Sequence, residues 1–386
     1  MYLIRRSGQP AWTLLRLPAP IVCGSRRAFS QSHARERGSL PVYLTPSKPE
    51  LSIILSQLNS KVLLPLHLTK DQAKLVFKPE NKARLEASDP IEITLGNVTL
   101  PLEHIDRNRD QPSQWGTIKT IIEKAESSND WENVIRMLEG VRSAGIRLWP
   151  FQWEKIVRSL HVADMQHLVV KAVQRAGKTG LRLRHSRVIH ALFLGFHERA
   201  ARSEWDPAIT AKMLDFVEEM VYRMEGKEHL GREPVTPNDI RASPFTIAYP
   251  AELAAARAKV QFGGEDKDRK VRRYASRLMN AITQTTWGLG VLKKDLDELK
   301  QLPTGTQEEY VTFQRTTNHV LQYIVVWNAL RTANQVLGDE MPSAEKAQTT
   351  EKKLGRLLLK AVDTLKEKRS NLPVRVEVSM TGCQKL

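Results

Sequence analysis

The chain has 386 residues, of which 41% are apolar and 26% charged, an ordinary composition for a soluble globular protein of two or three domains. Its two cysteines, Cys23 and Cys383, exclude a disulfide framework and a cysteine metal site, and no apolar run reaches the length of a membrane span. The net charge of +16 favours an anionic partner: nucleic acid, a ribonucleoprotein or an anionic membrane surface.

Residues 1–37 have the composition of a mitochondrial presequence. They contain seven arginines and one acidic residue, Glu36, among apolar and hydroxyl-bearing side chains, and this pattern is typical of a transit peptide. The sequence from Arg27 to Ser30 resembles a matrix processing site with cleavage after Phe29. We therefore expect import into the mitochondrial matrix, and a disordered basic terminus of a cytosolic protein is the alternative. Without this segment the chain keeps a net charge of +10.

Residues 38–110 predict a small α/β segment whose elements follow one another at short intervals. A proline suits the first turn of a helix, an apolar run of seven residues has the length of a strand, and two alternating runs around a Gly-Asn pair indicate a hairpin. These elements are a helix at Pro49–Leu58, a strand at Val62–Leu68, a helix capped by Thr69 or Asp71, and a hairpin at Ile91–Leu100.

Residues 115–225 contain a repeat with a period of 35 residues. The sequence Gly-Ile-Arg-Leu at 145–148 returns as Gly-Leu-Arg-Leu at 180–183, and apolar positions keep the same offset at helical spacing. Repeats of this length that contain two helices stack on their neighbours, because one unit cannot bury its apolar face alone. We therefore predict helical hairpins at residues 115–149 and 150–184, and a longer third unit that begins near Ser186.

The period, the paired helices and the Gly-Ile-Arg-Leu ending resemble pentatricopeptide repeats over roughly 85 residues. This resemblance implies an array of helical hairpins that can each face one base of single-stranded RNA. It would place base-reading positions at Lys119 and Trp149, then at Glu154 and Arg184. Because the family usually has small polar, amide or acidic residues there, the resemblance implies an RNA-handling setting without sequence-specific base reading. Degenerate arrays of this kind occur in ribosome-associated proteins of mitochondria.

The remainder of the chain predicts a connector, a second helical region and a tail. Residues 226–250 contain two glycines and four prolines, which indicate an irregular connector. Apolar residues at helical spacing predict helices across residues 251–370. In the tail, residues 371–386, a weak alternation from Val374 to Val378 indicates an added strand or a disordered end. The four helices are expected at 251–262, 266–299, 308–337 and 344–369.

Two groups of basic residues are candidate RNA-binding patches. No acidic residue lies between Asp164 and Glu198, and the first three basic residues of this interval would share one face of a sufficiently long helix. Such a patch binds phosphates and releases counterions without reading sequence. A solvated helix face is the alternative for both patches. The predicted RNA-binding residues are Lys171, Arg175, Lys178, Arg182, Arg184 and Arg187 in the first patch, Arg269, Arg273 and Arg277 in the second, and Trp149 as a base-stacking side chain at a hairpin junction.

No constellation of residues indicates catalysis or a cofactor. The sequence around Lys178 resembles a phosphate-binding loop but has Ala172 where the motif requires glycine, and it follows a predicted helix. His190 and His197 are seven residues apart, yet no carboxylate or cysteine joins them at metal-ligand spacing. We expect no catalytic site, no bound metal or cofactor and no small-molecule substrate.

The sequence therefore predicts a mainly α-helical protein, in which a helical-hairpin repeat array similar to an α-solenoid lies between a small N-terminal α/β segment and a C-terminal helical region. Its expected function is that of an RNA-associated adaptor in the mitochondrial matrix, either in the mitochondrial ribosome or in transcript maturation or translation. The expected partners are ribosomal or messenger RNA and ribosomal or other mitochondrial proteins. The alternative is a non-enzymatic scaffold that binds proteins, for example in the assembly of a respiratory complex.

Overall fold

A computed structural model describes residues 38–86, 91–234, 236, 239–284 and 288–386, so the predicted presequence at 1–37 lies outside the described residues. The described part is mainly helical, with one two-stranded hairpin, as the sequence predicts. The strands are β1 (Glu92–Leu95) and β2 (Val98–Pro101). The helices are α1 (Pro49–Gln57), α2 (Leu64–His67), α3 (Lys70–Phe77), α4 (Lys82–Leu85), α5 (Gln114–Lys124), α6 (Ser128–Ser143), α7 (Pro150–Val162), α8 (Gln166–Gln174), α9 (Ala176–Thr179), α10 (Ser186–Arg202), α11 (Pro207–Met224), α12 (Pro244–Gln261), α13 (Lys270–Gln284), α14 (Gly290–Gln301), α15 (Gln307–Leu337), α16 (Ala344–Lys368) and α17 (Val374–Lys385).

The apolar positions that repeat along the sequence are the buried positions of successive helices. Val134 and Leu138 of α6 are fully buried, and so are Val169 and Val173 of α8, which follow them by the repeat offset. Each helix therefore turns one apolar stripe toward its neighbours and leaves its polar face to solvent. Helices α5 and α6 pack together and are joined by a short turn, and so are α7 and α8. This arrangement is consistent with a helical repeat array.

The predicted strand at Val62–Leu68 is wrong, because this run is helical. A π-helical segment, Leu58–Leu63, continues α1, and α2 follows it directly. Leu51, Leu55 and Leu58 form a buried stripe at helical spacing, and Val62 extends it by one more turn. A short run of mostly apolar residues has no clear periodicity of its own, so its sequence cannot distinguish a strand from a helix.

The turn predictions for the N-terminal segment are confirmed. Thr69 caps α3 in a capping box, in which its hydroxyl accepts a hydrogen bond from the Gln72 amide and the Gln72 side chain accepts one from the Thr69 amide. β1 and β2 pair antiparallel, with Leu95 opposite Val98. Gly96 has a φ of +66° at the turn, a conformation that glycine adopts at little cost.

The N-cap of α6 is Ser127, which lies just before the helix. The Ser127 hydroxyl accepts a hydrogen bond from the Asp130 amide at 3.2 Å, and the Asp130 carboxylate accepts one from the Ser127 amide at 2.9 Å. Asp130 also accepts hydrogen bonds from the amide and the hydroxyl of Ser47. Burial alone would raise the pKa of Asp130, but these hydrogen bonds to the charged form outweigh burial and lower it. Asp130 thereby fastens the N-terminal segment to the first hairpin.

The expected connector at 226–250 ends earlier than the sequence indicates, because α12 begins at Pro244 and includes Pro250. Pro244 lies in the first turn, where its missing amide leaves no hydrogen bond unmade, whereas Pro250 lies inside the helix. Helix α12 is buried around most of its circumference and packs against α11, α13 and α15. Its small side chains, among them Ala254 and Ala255, allow this close packing.

The tail is also helical, which corrects the expected strand or disordered end. Val376 and Cys383 of α17 are seven residues apart, lie on one face and are fully buried. This face packs against α10 and α15. The indole Nε1 of Trp205 donates a hydrogen bond to the Gly382 carbonyl at 2.8 Å. Packing against distant helices therefore decides the conformation of a segment whose own pattern is weak.

Candidate nucleic-acid interface

The two repeated turns have the same backbone geometry. Gly145 follows α6 with a φ of +79°, and Gly180 follows α9 with a φ of +86°. Both are left-handed conformations in which a glycine ends a helix without steric cost, as the sequence predicts. Leu181 and Leu183 are buried, and Arg182 between them points outward.

These turns enclose a cavity of about 400 Å³ that is rich in arginine. The side chain of Arg142 comes from the end of α6, that of Arg147 from the first turn, and those of Arg182 and Arg184 from the second. Trp153 and Gly180 are also part of its wall, and no carboxylate lines it. We call Arg142, Arg147, Arg182 and Arg184 the turn-arginine cluster.

None of the four arginines forms an ion pair with another residue in the described part of the chain. Arg184 donates a hydrogen bond from Nε to the carbonyl oxygen of His229 at 2.8 Å, which fixes its stem and leaves its terminal amino groups available. The His229 ring accepts a hydrogen bond at Nδ1 from the Leu183 amide. Burial, together with Arg223, Arg182 and Arg184, lowers the pKa of His229, so this acceptor stays neutral. Free guanidinium groups around one cavity are suited to phosphate oxygens, which they bind bidentately.

Three residues of the first predicted patch instead stabilise the hairpins. The Lys171 ammonium lies 2.7 Å from a carboxylate oxygen of Glu132, and an Arg175 guanidinium nitrogen lies 2.8 Å from one of Glu139. Arg187 forms an ion pair with Glu154. The absence of acidic residues from the sequence interval was therefore misleading, since carboxylates of α6 and α7 supply the missing charges.

The predicted helical face of Lys171, Arg175 and Lys178 is also wrong. Helix α8 ends at Gln174, Arg175 has non-helical dihedral angles, and α9 begins only after it. Lys178 is exposed and forms no ion pair among the described residues. The structure thus brings Arg182 and Arg184 of the predicted patch together, adds Arg142 and Arg147, and turns Lys171, Arg175 and Arg187 toward carboxylates.

The second predicted patch is divided in the same way. A guanidinium nitrogen of Arg273 lies 3.7 Å from Glu218, whose carboxylate also binds Lys270 and the Tyr274 hydroxyl. Arg269 and Arg277 form no ion pair among the described residues, and Arg277 is exposed. Only part of this patch therefore presents uncompensated charge.

Trp149 is 67% exposed at the junction that precedes α7. The first turn of α7 carries Phe151, which is half exposed. Its ring meets that of Trp115 edge-on, with ring centroids 6.3 Å apart. Of the other positions at which the resemblance would place base reading, Lys119 forms an ion pair with Glu123. Glu154 forms ion pairs with Arg158 and Arg187. An exposed indole such as that of Trp149 can stack on a nucleic-acid base.

One buried polar cluster joins α10, α12, α15 and α17. The Glu252 carboxylate lies 2.7 Å from Nδ1 of His197 and 2.7 Å from the side-chain amide nitrogen of Asn328. The Cys383 sulfur lies 3.9 Å from the same carboxylate. Sequence spacing predicted no carboxylate or cysteine beside His197, and here the structure differs, because long-range packing assembles three side chains of metal-ligand type. Their mutual hydrogen bonds satisfy the buried carboxylate without any further group.

Among the described residues, none of the helices combines the length and the apolarity that crossing a membrane requires. The fold and the turn-arginine cluster define a mainly helical protein of stacked hairpins, with guanidinium groups gathered at equivalent turns. A family model for mitochondrial ribosomal protein mS27 matches residues 27–380, and the chain belongs to this family. The membership assigns the chain to the proteins of the mitochondrial ribosome and to the mitochondrial matrix.

A protein with a similar sequence carries the name of the same family. A small ribosomal subunit protein mS27 of Neurospora crassa is 26% identical to this chain over 222 residues. The match covers 55% of this chain and 56% of that protein, so it spans about half of the length of the relative.

Arg142 and Arg147 are the cluster residues that we did not predict as RNA-binding. A signal for Arg147 was present, because Arg147 and Arg182 occupy the same position in the two copies of the repeated turn. No comparable signal marks Arg142, whose counterpart at the repeat offset is Gly177.

Proposed function

We propose that this chain is a structural component of the small subunit of the mitochondrial ribosome and that its turn-arginine cluster contacts RNA phosphates. The family and the name of the Neurospora crassa relative support the ribosomal part of the proposal. The observation that carries the RNA part is the cavity of about 400 Å³ around which four guanidinium groups lie without a carboxylate.

The proposed mechanism is electrostatic docking on a preformed scaffold. Each guanidinium that neutralises a phosphate releases a condensed counterion, and this release supplies affinity without reading bases. Gly145 and Gly180 adopt the left-handed conformation that each turn requires, so the backbone that carries the arginines is ordered before RNA binds. Lys178, Arg269 and Arg277 would add phosphate contacts, and Trp149 would stack on one base.

The repeat array would act as a degenerate relative of pentatricopeptide repeats. Lys119 and Glu154 stand where such repeats read bases, and both are engaged in ion pairs within the chain. A side chain that is held by an internal partner must lose that partner before it binds a base. We therefore propose phosphate recognition by shape and charge rather than a base code, and we assign no catalytic step.

A protein-binding scaffold is the second candidate, and one observation favours it. Lys171, Arg175, Arg187 and Lys270 all form ion pairs with carboxylates of neighbouring helices, so much of the basic surface is already neutralised. If the remaining arginines bound only acidic protein surfaces, the chain would need no RNA.

Sedimentation of a matrix extract separates the two candidates. The proposal predicts that the full-length chain migrates with the small ribosomal subunit and moves to light fractions after ribonuclease treatment. Migration in a complex that ribonuclease leaves intact and that contains no ribosomal RNA would reject the proposal in favour of the scaffold. Detection of a ribosomal RNA and of an unrelated matrix protein in every fraction provides the controls.

A further inference from the structure

A second concave surface lies between the N-terminal halves of α10 and α15. It is a groove of about 480 Å³, and it is distinct from the turn-arginine cavity, with which it shares no lining residue. One wall carries His190 and Leu194 of α10, and the other carries residues of α15 at helical spacing. Tyr310 and Val311 stand at the start of α15 and are each about half exposed, at 51% and 53%.

The wall formed by α15 carries a row of side-chain amides. Gln314, Asn318 and Gln322 follow one another at intervals of four residues, so they lie on one face about 6 Å apart along the helix axis. Gln314 and Asn318 are exposed, and Gln322 is half-buried. None of the three amides forms a hydrogen bond to another residue that the structure describes. Each amide offers one acceptor oxygen and two donor hydrogens, as a peptide group offers one of each.

The groove is close to electrically neutral, unlike the turn-arginine cavity. Its guanidinium groups are compensated, because Arg187 pairs with Glu154, Arg315 with Asp295 and Glu298, and Arg375 with Glu198. These pairs leave no free cation for a phosphate backbone, which argues against RNA as the occupant.

His190, on the α10 wall of the groove, is neutral at physiological pH. Burial, and to a smaller extent the nearby His319, lowers the pKa of His190 to about 4. The Nδ1 atom of His190 is buried and has no hydrogen-bond partner among the described residues. His319 itself faces Asp295, with which it pairs. The imidazole of His190 therefore adds no charge to the groove.

We propose that this groove, the amide groove, binds an extended polypeptide segment of a neighbouring ribosomal protein. Alternate residues of an extended chain are about 6.6 Å apart, which matches the spacing of amides four residues apart on a helix. Gln314, Asn318 and Gln322 bind the main-chain N–H and C=O groups of the segment, and Tyr310 and Val311 contact its side chains. The proposal rests on assembly of the chain into the ribosome and is independent of RNA binding by the turn-arginine cluster.

Site-specific photo-crosslinking in intact mitochondria tests this proposal. The full-length chain carries p-benzoylphenylalanine in place of Ser186, an exposed residue that lines the groove, and a second version carries it in place of Thr349, an exposed residue of α16. We expect the first version to give one discrete protein adduct that resists nuclease, with the crosslink mapped by mass spectrometry to a single peptide. The version labelled at Thr349 should not give this adduct.

Two amide variants decide whether the amides hold the segment. Gln314→Ala with Gln322→Ala should lower the adduct yield roughly tenfold, as expected from the loss of two hydrogen bonds. Gln301→Ala with Gln348→Ala, both at exposed positions outside the groove, should leave the yield unchanged. An RNA adduct, an adduct with many unrelated proteins, a yield insensitive to the amides, or no adduct would each overturn the proposal. Sedimentation of the same samples shows separately whether the chain is ribosome-bound, so failure of the proposed function is distinguishable.

Discussion

Arg147 and Arg182 occupy the same position in two copies of one turn, 35 residues apart, and their side chains line one cavity. The repeat therefore does more than stack helices, because it brings equivalent arginines to adjacent places on the surface. Two successive hairpins present the same turn in the same direction, so one charge in each repeat gives a row of charges in space. Such a row fits a polymer that carries regularly spaced phosphates.

Removal of this pair should weaken the salt dependence of RNA binding. Each phosphate contact on single-stranded RNA contributes about 0.7 to the slope of log affinity against log salt concentration. The change Arg147→Ala with Arg182→Ala should therefore lower the slope by about 1.4. The measurement is fluorescence anisotropy of labelled poly-uridine RNA with the purified full-length chain over a range of salt concentrations.

A matched double variant controls for the loss of two charges. Lys48 and Lys124 pair with Glu126 and Glu50, whose side chains are mostly exposed, so replacing both lysines with alanine leaves no buried charge. This variant should keep the slope of the unmodified chain. Equal slopes for both variants would mean that the turn arginines bind RNA no better than other surface cations.

The buried pair of His197 and Glu252 should stabilise the junction of α10 and α12. Burial alone would lower the pKa of His197, but the facing Glu252 carboxylate outweighs burial and raises it. Removing one partner of a buried ion pair costs about 3–5 kcal/mol, so Glu252→Gln should lower the free energy of unfolding by this order. Chemical denaturation measures it, and Glu204→Gln, at an exposed pair, is the control that should change stability by less than about 1 kcal/mol.

The same pair gives a pH dependence of known sign. Because the folded-state pKa of His197 is raised, its contribution is fully present below the ordinary histidine pKa of about 6.5 and is lost as the pH rises through the folded-state value. The stability difference between the unmodified chain and Glu252→Gln should therefore be larger at acidic than at alkaline pH. A difference that grows toward alkaline pH would show that the pair is not charged in the folded chain.

His161 should make the fold sensitive to acid in the opposite way. Burial, with smaller contributions from Arg375 and Arg202, lowers its pKa to about 3. Between pH 6 and pH 4 the unfolded chain gains a proton at this site and the folded chain does not, so stability falls by about 1.4 kcal/mol per pH unit. His161→Leu should remove this part of the slope in denaturation curves recorded across that range. His167→Leu, at an exposed position, should retain it.

Gly195 should tolerate no side chain, because α10 crosses α7 there at close range. A Cβ atom at Gly195 would lie 2.2 Å from carbon atoms of the His161 ring, which is itself buried. Gly195→Ala should therefore lower the free energy of unfolding by about 1–3 kcal/mol through overpacking. Gly290→Ala, where an added Cβ meets nothing within 4 Å, should be neutral or slightly stabilising, and thermal unfolding compares the two.

Helices with a regular apolar stripe could be predicted from the sequence, and weakly patterned segments could not. α16, which the apolar spacing predicts at 344–369, spans Ala344–Lys368. Val62–Leu68 and Val374–Val378 were misread, since their own patterns are short and the packing of buried residues such as Val62 and Val376 decides their conformation. Such tertiary packing overrides the local conformational preference of a segment, and the sequence of that segment alone does not reveal it.

The candidate site was only partly predictable for the same physical reason. The basic residues were visible in the sequence, but the carboxylates that neutralise some of them were not. Lys171 and Glu132 are 39 residues apart and meet only because α6 and α8 pack together. By contrast, Arg182 follows Gly180 and lies between two buried leucines, and this alternation is legible in the sequence.

The central claim is that uncompensated arginines, rather than positive charge in general, bind RNA. Its most direct test is ultraviolet crosslinking to RNA in intact mitochondria with two variants that each remove four positive charges. One replaces Arg142, Arg147, Arg182 and Arg184 with alanine, and the other replaces Lys48, Lys124, Arg272 and Lys385, whose carboxylate partners are exposed. We predict that crosslinked RNA falls roughly tenfold or more, a loss of about 1.4 kcal/mol or more, in the first variant alone. Equal yields in the two variants, both confirmed as folded by circular dichroism, would contradict the account.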